Sequence, residues 1–218
     1  MNTQSVKRTI ALIGIVAASY GWAGLAQAEE GKPYVALELG LSNPSTSKDS
    51  LNDTSEFNNG ASISAALGYG IWKNLRAEAE VFYGRNTADT IAYPSVNGGN
   101  PQDASGNVTS LGFMANGYYD FKTDMAIVPY IGAGIGFDKV SVNNVTAPGL
   151  SGVNDSDLVL AWQFKAGLSY AVLDNTYLTF GYQFFDTRDL SLVTKGGTSY
   201  TSDGARTHSI KIGLRYGF

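Results

Sequence analysis

Apolar residues recur at every second position in eight separate stretches of the chain. In residues 35–41, Val35, Leu37, Leu39 and Leu41 fall on one side, with Ala36, Glu38 and Gly40 between them. The same alternation runs through residues 63–71, 75–83, 110–121, 129–138, 160–170, 178–185 and 207–218. A period of two places successive side chains on opposite faces of a β-strand. The pattern predicts eight strands, each with one oily and one polar face.

The apolar residues set the register, and the charges then check it. Glu38, Arg76, Glu78, Glu80, Asp120, Asp138, Lys165, Lys211 and Arg215 all fall on the polar face. Arg85, Lys139 and Asp186 have the oily parity but lie just past the segment ends. Two architectures bury one face of such strands. A soluble, lipocalin-like barrel turns the oily face inward. A transmembrane barrel turns it out to lipid and encloses the charges. A Lys or Arg facing lipid at mid-membrane costs about 2–4 kcal/mol, which accounts for the absence of charge from the oily face. Aromatics support the second arrangement. Tyr69, Tyr119, Phe121, Tyr170, Tyr216 and Phe218 fall toward one end of the strands, and Tyr83, Phe137, Trp162 and Phe184 toward the other. Two aromatic bands separated by Ala, Leu and Ile match the girdles of a membrane barrel.

The connections alternate in length. Residues 71–75, 122–127 and 172–176 are tight, with Asn74, Asp124, Asp174 and Asn175 as turn formers. Residues 42–60, 86–107, 141–157 and 186–206 are long and polar. Short periplasmic turns and long external loops are the habit of outer-membrane barrels. Apolar residues within the long stretches are few: Leu51, Phe57, Ile91, Tyr93, Val145, Leu150, Leu192 and Val193. They serve either as partner contacts or to fold the loops down.

The start of the chain reads as an address. Lys7 and Arg8 precede an apolar run from Ile10 to Ala18, followed by Ala26, Gln27 and Ala28. A basic head, a short greasy middle and small residues at the cut describe a secretory signal peptide, with cleavage expected after Ala28. The expected domains are therefore a signal peptide over 1–28 and one barrel domain over 29–218. With no Cys, an exported chain forms no disulfides. The formal charge is −4, and removal of Lys7 and Arg8 makes it more acidic, so charge argues against nucleic-acid binding.

Residues 207–218 carry the most specific signal. Ile210, Ile212, Leu214, Tyr216 and Phe218 alternate with Ser209, Lys211, Gly213, Arg215 and Gly217. A terminal strand of this kind closes a barrel by pairing with the first strand, which leaves no open edge. Together with residues 129–136 (PYIGAGIG) and 178–184 (LTFGYQF), the ending KIGLRYGF resembles the small outer-membrane β-barrel superfamily. That superfamily includes the OmpA-like transmembrane domain, opacity-type adhesins and porin-like alphaproteobacterial surface antigens. The resemblance covers all of 29–218. It implies an all-β, eight-stranded antiparallel up-and-down barrel in a Gram-negative outer membrane. It also implies that Ile210, Ile212, Leu214, Tyr216 and Phe218 form the insertion signal read by the barrel-assembly machinery.

Candidate chemistry is sparse. Gly132, Gly134 and Gly136 repeat inside a strand with no helix after them, so they make room for neighbours such as Tyr118 or Tyr130 rather than for a phosphate. Glu38, Arg76, Glu78, Glu80, Asp120, Lys165, Lys211 and Arg215 form a lumen charge network. They either pair as a plug or line a narrow pore, since eight strands leave a lumen just wide enough for side chains to fill. His208 and Ser209 are adjacent and so point to opposite faces, which argues against a hydrolytic pair. No His/Cys cluster suggests a transition metal. Asp155 with Asp157, or Asp186 with Asp189, are either weak calcium ligands or solvated loop acids. No cofactor and no catalytic residues are expected. The expected role is structural, with lipid as the surrounding partner and surface loops offered to host or extracellular-matrix proteins. A small porin is the alternative, and a lipid-modifying enzyme a more distant one.

Overall fold

The computed structural model describes residues 30–45, 47–48, 54–92, 100–121, 123–148 and 152–218. The expected signal peptide lies outside them, as do Leu51, Tyr93 and Leu150. The described residues form β1 (Pro33–Pro44), β2 (Ser47–Lys48), β3 (Thr54–Phe57), β4 (Gly60–Trp72), β5 (Leu75–Ala92), β6 (Pro101–Asp103) and β7 (Ser105–Asp120). They continue with β8 (Ile127–Thr146), β9 (Val153–Leu173), β10 (Thr176–Thr187), β11 (Leu190–Val193), β12 (Ser199–Ser202) and β13 (Thr207–Gly217).

Eight of these strands, β1, β4, β5, β7, β8, β9, β10 and β13, pair antiparallel with their neighbours in that order. The ring closes where β13 meets β1, from Tyr34 opposite Gly217 to Pro44 opposite Thr207. Closure leaves no barrel strand with an unpaired edge. Tight turns join β4 to β5 through Lys73 and Asn74, and β9 to β10 through Asp174 and Asn175. Asn175 holds φ at 59°, a left-handed position that Asn tolerates.

Alternation sorts the faces. Leu37, Leu39, Ile63, Leu67, Phe113, Ile131, Ile135, Phe164, Phe180, Ile212 and Leu214 all point outward and are exposed. Glu80, Asp120, Asp138, Lys165, Lys211 and Arg215 point inward and are buried. Asp186, despite its outward parity, is buried at the rim, where Arg206 donates to it at 3.1 Å. Glycine makes two of the close inward contacts possible. A Cβ on Gly68 would stand 2.0 Å from Cζ of Tyr34, and one on Gly132 would stand 2.3 Å from the Tyr118 ring.

The outward aromatics gather at the two ends. Near the tight turns, Tyr119 stacks edge-on against Phe121 and Tyr216 against Phe218, with centroids 5.1 and 5.5 Å apart. Near the long connections, Trp162 lies 5.4 Å from Phe164 and 5.3 Å from Phe184. His208 joins that band, its ring 5.2 Å from Phe184 and its Nδ1 2.6 Å from the Tyr182 hydroxyl.

The long connections are more ordered than their composition suggests, which corrects the sequence reading in all four: residues 42–60 contain β2 and β3, and β3 pairs with β5. Strand pairing runs on to Thr87 opposite Asn107, to Ser105 opposite Thr146 and to Val145 opposite Val153. Much of 86–107 and 141–157 is therefore strand. Above the apolar belt neither face meets lipid, so the oily alternation lapses while the backbone ladder continues. Residues 186–206 likewise contain a hairpin of β11 and β12.

Candidate functional site in the barrel lumen

Moving along β5 from its tight turn, the inward residues are Arg76, Glu78, Glu80 and Phe82, one every second position. Arg76 and Glu78 belong to the first layer of the lumen, Glu80 to the second and Phe82 to the apolar third.

Arg76 organises the first layer. Its Nη1 donates to Glu78 at 2.6 Å and to the Tyr34 hydroxyl at 3.0 Å, and its Nε donates to Asp120 at 3.2 Å. The Tyr34 hydroxyl donates to Glu78 at 2.8 Å. The guanidinium carbon lies 3.9 Å from the centre of the Tyr118 ring and 5.3 Å from that of Tyr130. Arg215 sits beside it, 4.8 Å from the Tyr177 ring centre and 5.5 Å from that of Tyr34. Planar guanidinium groups accept aromatic faces and carboxylates together, so arginine rather than lysine occupies this crowded layer.

Lys165 organises the second layer. Its Nζ donates to Glu80 at 3.0 and 3.1 Å and to Glu38 at 3.0 Å. Glu80 also accepts from Asn116 at 2.7 Å and from Gln163 at 2.9 Å. Gln163 donates to Asn116 at 2.7 Å and accepts from Gln183. Lys211 lies in the same layer and donates to Ser62 at 3.2 Å. Paired and multiply hydrogen-bonded charges are the form in which charge is tolerated in a dry interior.

Above the ionic layers the lumen turns apolar. Phe82, Met114, Ala161 and Phe185 form a small buried cluster, with Phe82 and Phe185 edge to face at 5.2 Å. Higher still, Leu190 and Leu192 of β11 pack on Val140 and Val159. Two acids fix that hairpin to the wall. Asp157 accepts the Ser191 amide and Asp155 the Val193 amide, each at 2.9 Å.

The sequence-predicted residues thus resolve into two groups. Arg76, Glu78, Asp120 and Arg215 meet in one layer. Glu38, Glu80, Lys165 and Lys211 meet in the other. Sequence reasoning left out of the network Tyr34 and Tyr118, and the amides Asn116, Gln163 and Gln183. Their inward parity was legible, but their bonding partners lie on other strands. Asp155 and Asp157 are neither free loop acids nor, as arranged, a paired cation site. They hold backbone amides. Of the loop hydrophobes, Val145 and Leu192 are buried and Val193 is exposed. Ser209 is buried on the inner face while His208 joins the outer aromatic band, so the two do not share a site. Among the described residues, no group of three or more His, Cys, Asp or Glu is placed to hold a metal ion.

A sheet closed on itself, oily outside and ionic within, is a membrane-spanning β-barrel. The chain belongs to the outer membrane protein beta-barrel domain family, which it matches over residues 9–218, and its place is the outer membrane. It is 33% identical over 116 residues to outer membrane protein PagN of Salmonella typhimurium, covering 49% of this chain and 48% of that protein. It is 28% identical over 131 residues to an uncharacterized protein of Brucella abortus, covering 48% and 46%. The chain spans about half the length of the curated relatives it matches. Among solved structures it is similar to Neisserial surface protein A, with a TM-score of 0.55, 23% identity and coverage of 87% of this chain and 100% of that one. It is also similar to OprG from Pseudomonas aeruginosa, with a TM-score of 0.61, 13% identity and coverage of 89% and 99%. At these identities the likeness is one of fold.

Proposed function

We propose that this protein is a non-enzymatic envelope component whose barrel is a rigid mount for externally displayed loops that bind a partner, a host surface protein or extracellular matrix. The observation that carries this reading is the filled lumen. Two successive layers of ion pairs, around Arg76 and around Lys165, occupy the cross-section, with Glu80 and Asp120 buried at 1% and 0% exposure. A barrel of eight strands has little room beyond its own side chains. The chemistry free to act then lies at the long-connection end, where strands continue past the apolar belt and carry the loops.

In this reading residues 1–28 are removed after export and the tight turns face the periplasm. Lipid surrounds the belt, and the alternation from Ile210 to Phe218 is read by the barrel-assembly machinery. The test has two arms. Reconstituted barrel gives no resolved current across a planar bilayer, where a porin gives steps. Cells displaying the protein lose adhesion when the four long connections are shortened, while the trimmed barrel stays folded by its gel mobility before and after heating. Steady single-channel steps in the first arm, or unchanged adhesion in the second, overturn the proposal.

A further inference from the structure

The long-connection end of the lumen holds a cavity of about 130 Å³ beneath the β11–β12 hairpin. Its lining mixes the apolar side chains of Phe82, Phe185, Val140, Leu190 and Leu192 with the hydroxyls of Ser42, Ser62, Ser110 and Ser209. Lys211 stands at the floor, buried at 4% exposure. Its Nζ donates to the Ser62 hydroxyl at 3.2 Å. Among the described residues no carboxylate forms an ion pair with it; Glu38 and Glu80, in the same layer, bond Lys165 and act on Lys211 only from farther off. The charged lining residues are Arg85, Arg206, Lys211 and Asp203, three cations to one acid. Arg206 already pairs with Asp186.

We infer that this cavity is a binding site for a small organic monocarboxylate with a compact apolar body. The carboxylate takes the Lys211 ammonium and the Ser62 hydroxyl, and the body lies against Phe82, Phe185 and Leu192. The charge fits because a buried ammonium whose one hydrogen-bond partner is a neutral hydroxyl gains from an anion that reaches it. The size is comparable with the roughly 150 Å³ that holds one benzene ring, and the cavity is not fully enclosed, so a ring bearing a carboxylate need not lie wholly within it. Acetate lacks the body and benzyl alcohol lacks the charge. The site stands independently of whether the loops adhere to anything.

The test uses the full barrel in lipid nanodiscs, since detergent tails compete for an apolar cavity. Methyl resonances of Val140, Leu190 and Leu192 are followed while benzoate, benzyl alcohol or acetate is added. Benzoate shifts them saturably; benzyl alcohol binds about tenfold or more weakly, the worth of one charge-assisted hydrogen bond, and acetate about tenfold or more weakly because it buries no ring. Lys211→Met brings benzoate down to the level of benzyl alcohol. Leu192→Trp fills the cavity from above and abolishes binding of all three, and this variant carries the test if Lys211→Met does not fold. Equal affinity for benzoate and benzyl alcohol, no saturable shift, or unchanged benzoate binding by either folded variant overturns the inference.

Discussion

Lys165 and Glu80 are 85 residues apart in the chain and 3.0 Å apart in the lumen. Their pairing ties β9 to β5 across the barrel interior, and Glu38 on β1 completes a three-strand clamp at 3.0 Å from the same ammonium. Removing one member strands the others in a site where water cannot replace it. Glu80→Ala is expected to lower stability by about 3–5 kcal/mol. The midpoint of urea unfolding in lipid vesicles measures this, and a midpoint equal to wild type refutes it.

Arg76 holds its layer by geometry as well as charge. Arg76→Lys keeps the charge but cannot serve Glu78, Asp120 and the Tyr118 face at once. It should destabilise the barrel by about 1–3 kcal/mol, the worth of hydrogen bonds to charged groups. Tyr34→Phe, which loses one hydroxyl between Arg76 and Glu78, should cost less, about 1 kcal/mol. The same unfolding measurement ranks the two, and a Tyr34→Phe cost above that of Arg76→Lys contradicts the assignment.

Inward and outward glycines should respond oppositely to a methyl group. Gly68→Ala drives a Cβ into the Tyr34 ring and should cost about 1–3 kcal/mol. Gly117 faces outward with nothing within 4 Å of a Cβ, so Gly117→Ala should be neutral or slightly stabilising. Comparing the two folding yields and urea midpoints checks the direction of the barrel wall at both positions.

The outward face predicts a penalty that a water-soluble barrel would not show. Leu39 is exposed in the middle of β1, between Leu37 and Leu41. Leu39→Arg should cost about 2–4 kcal/mol in a bilayer. Full refolding of this variant into vesicles at wild-type stability would place Leu39 away from lipid.

The hairpin should loosen when its two acids are removed. Asp155→Ala with Asp157→Ala frees the amides of Val193 and Ser191. At about 1 kcal/mol for each lost bond, amide exchange at these residues should accelerate by roughly tenfold or more. Exchange in the central strands should stay unchanged, and uniform acceleration throughout would show a global effect instead.

The fold was legible because the membrane imposes a rule that one strand obeys alone. Leu37, Leu39 and Leu41 must each face lipid, so an alternation of two is written within seven residues of β1 and needs no partner to be read. The same rule placed Glu38, Arg76, Lys165 and Lys211 on the enclosed side. Where the rule lapses, the sequence lost its signal. The outer parts of β5, β7, β8 and β9 meet no lipid, and their polar residues resemble loop while their backbones stay paired.

Which charge meets which was decided by the tertiary structure. Strand stagger brings Lys165 to Glu80 and Glu38 and leaves Lys211 with Ser62 beneath a partly apolar hollow. It also turns Asp155 and Asp157 from surface acids into anchors for a hairpin more than thirty residues away. A period of two says which face a side chain takes. The height at which it meets its neighbours depends on how eight strands slide past one another before they close.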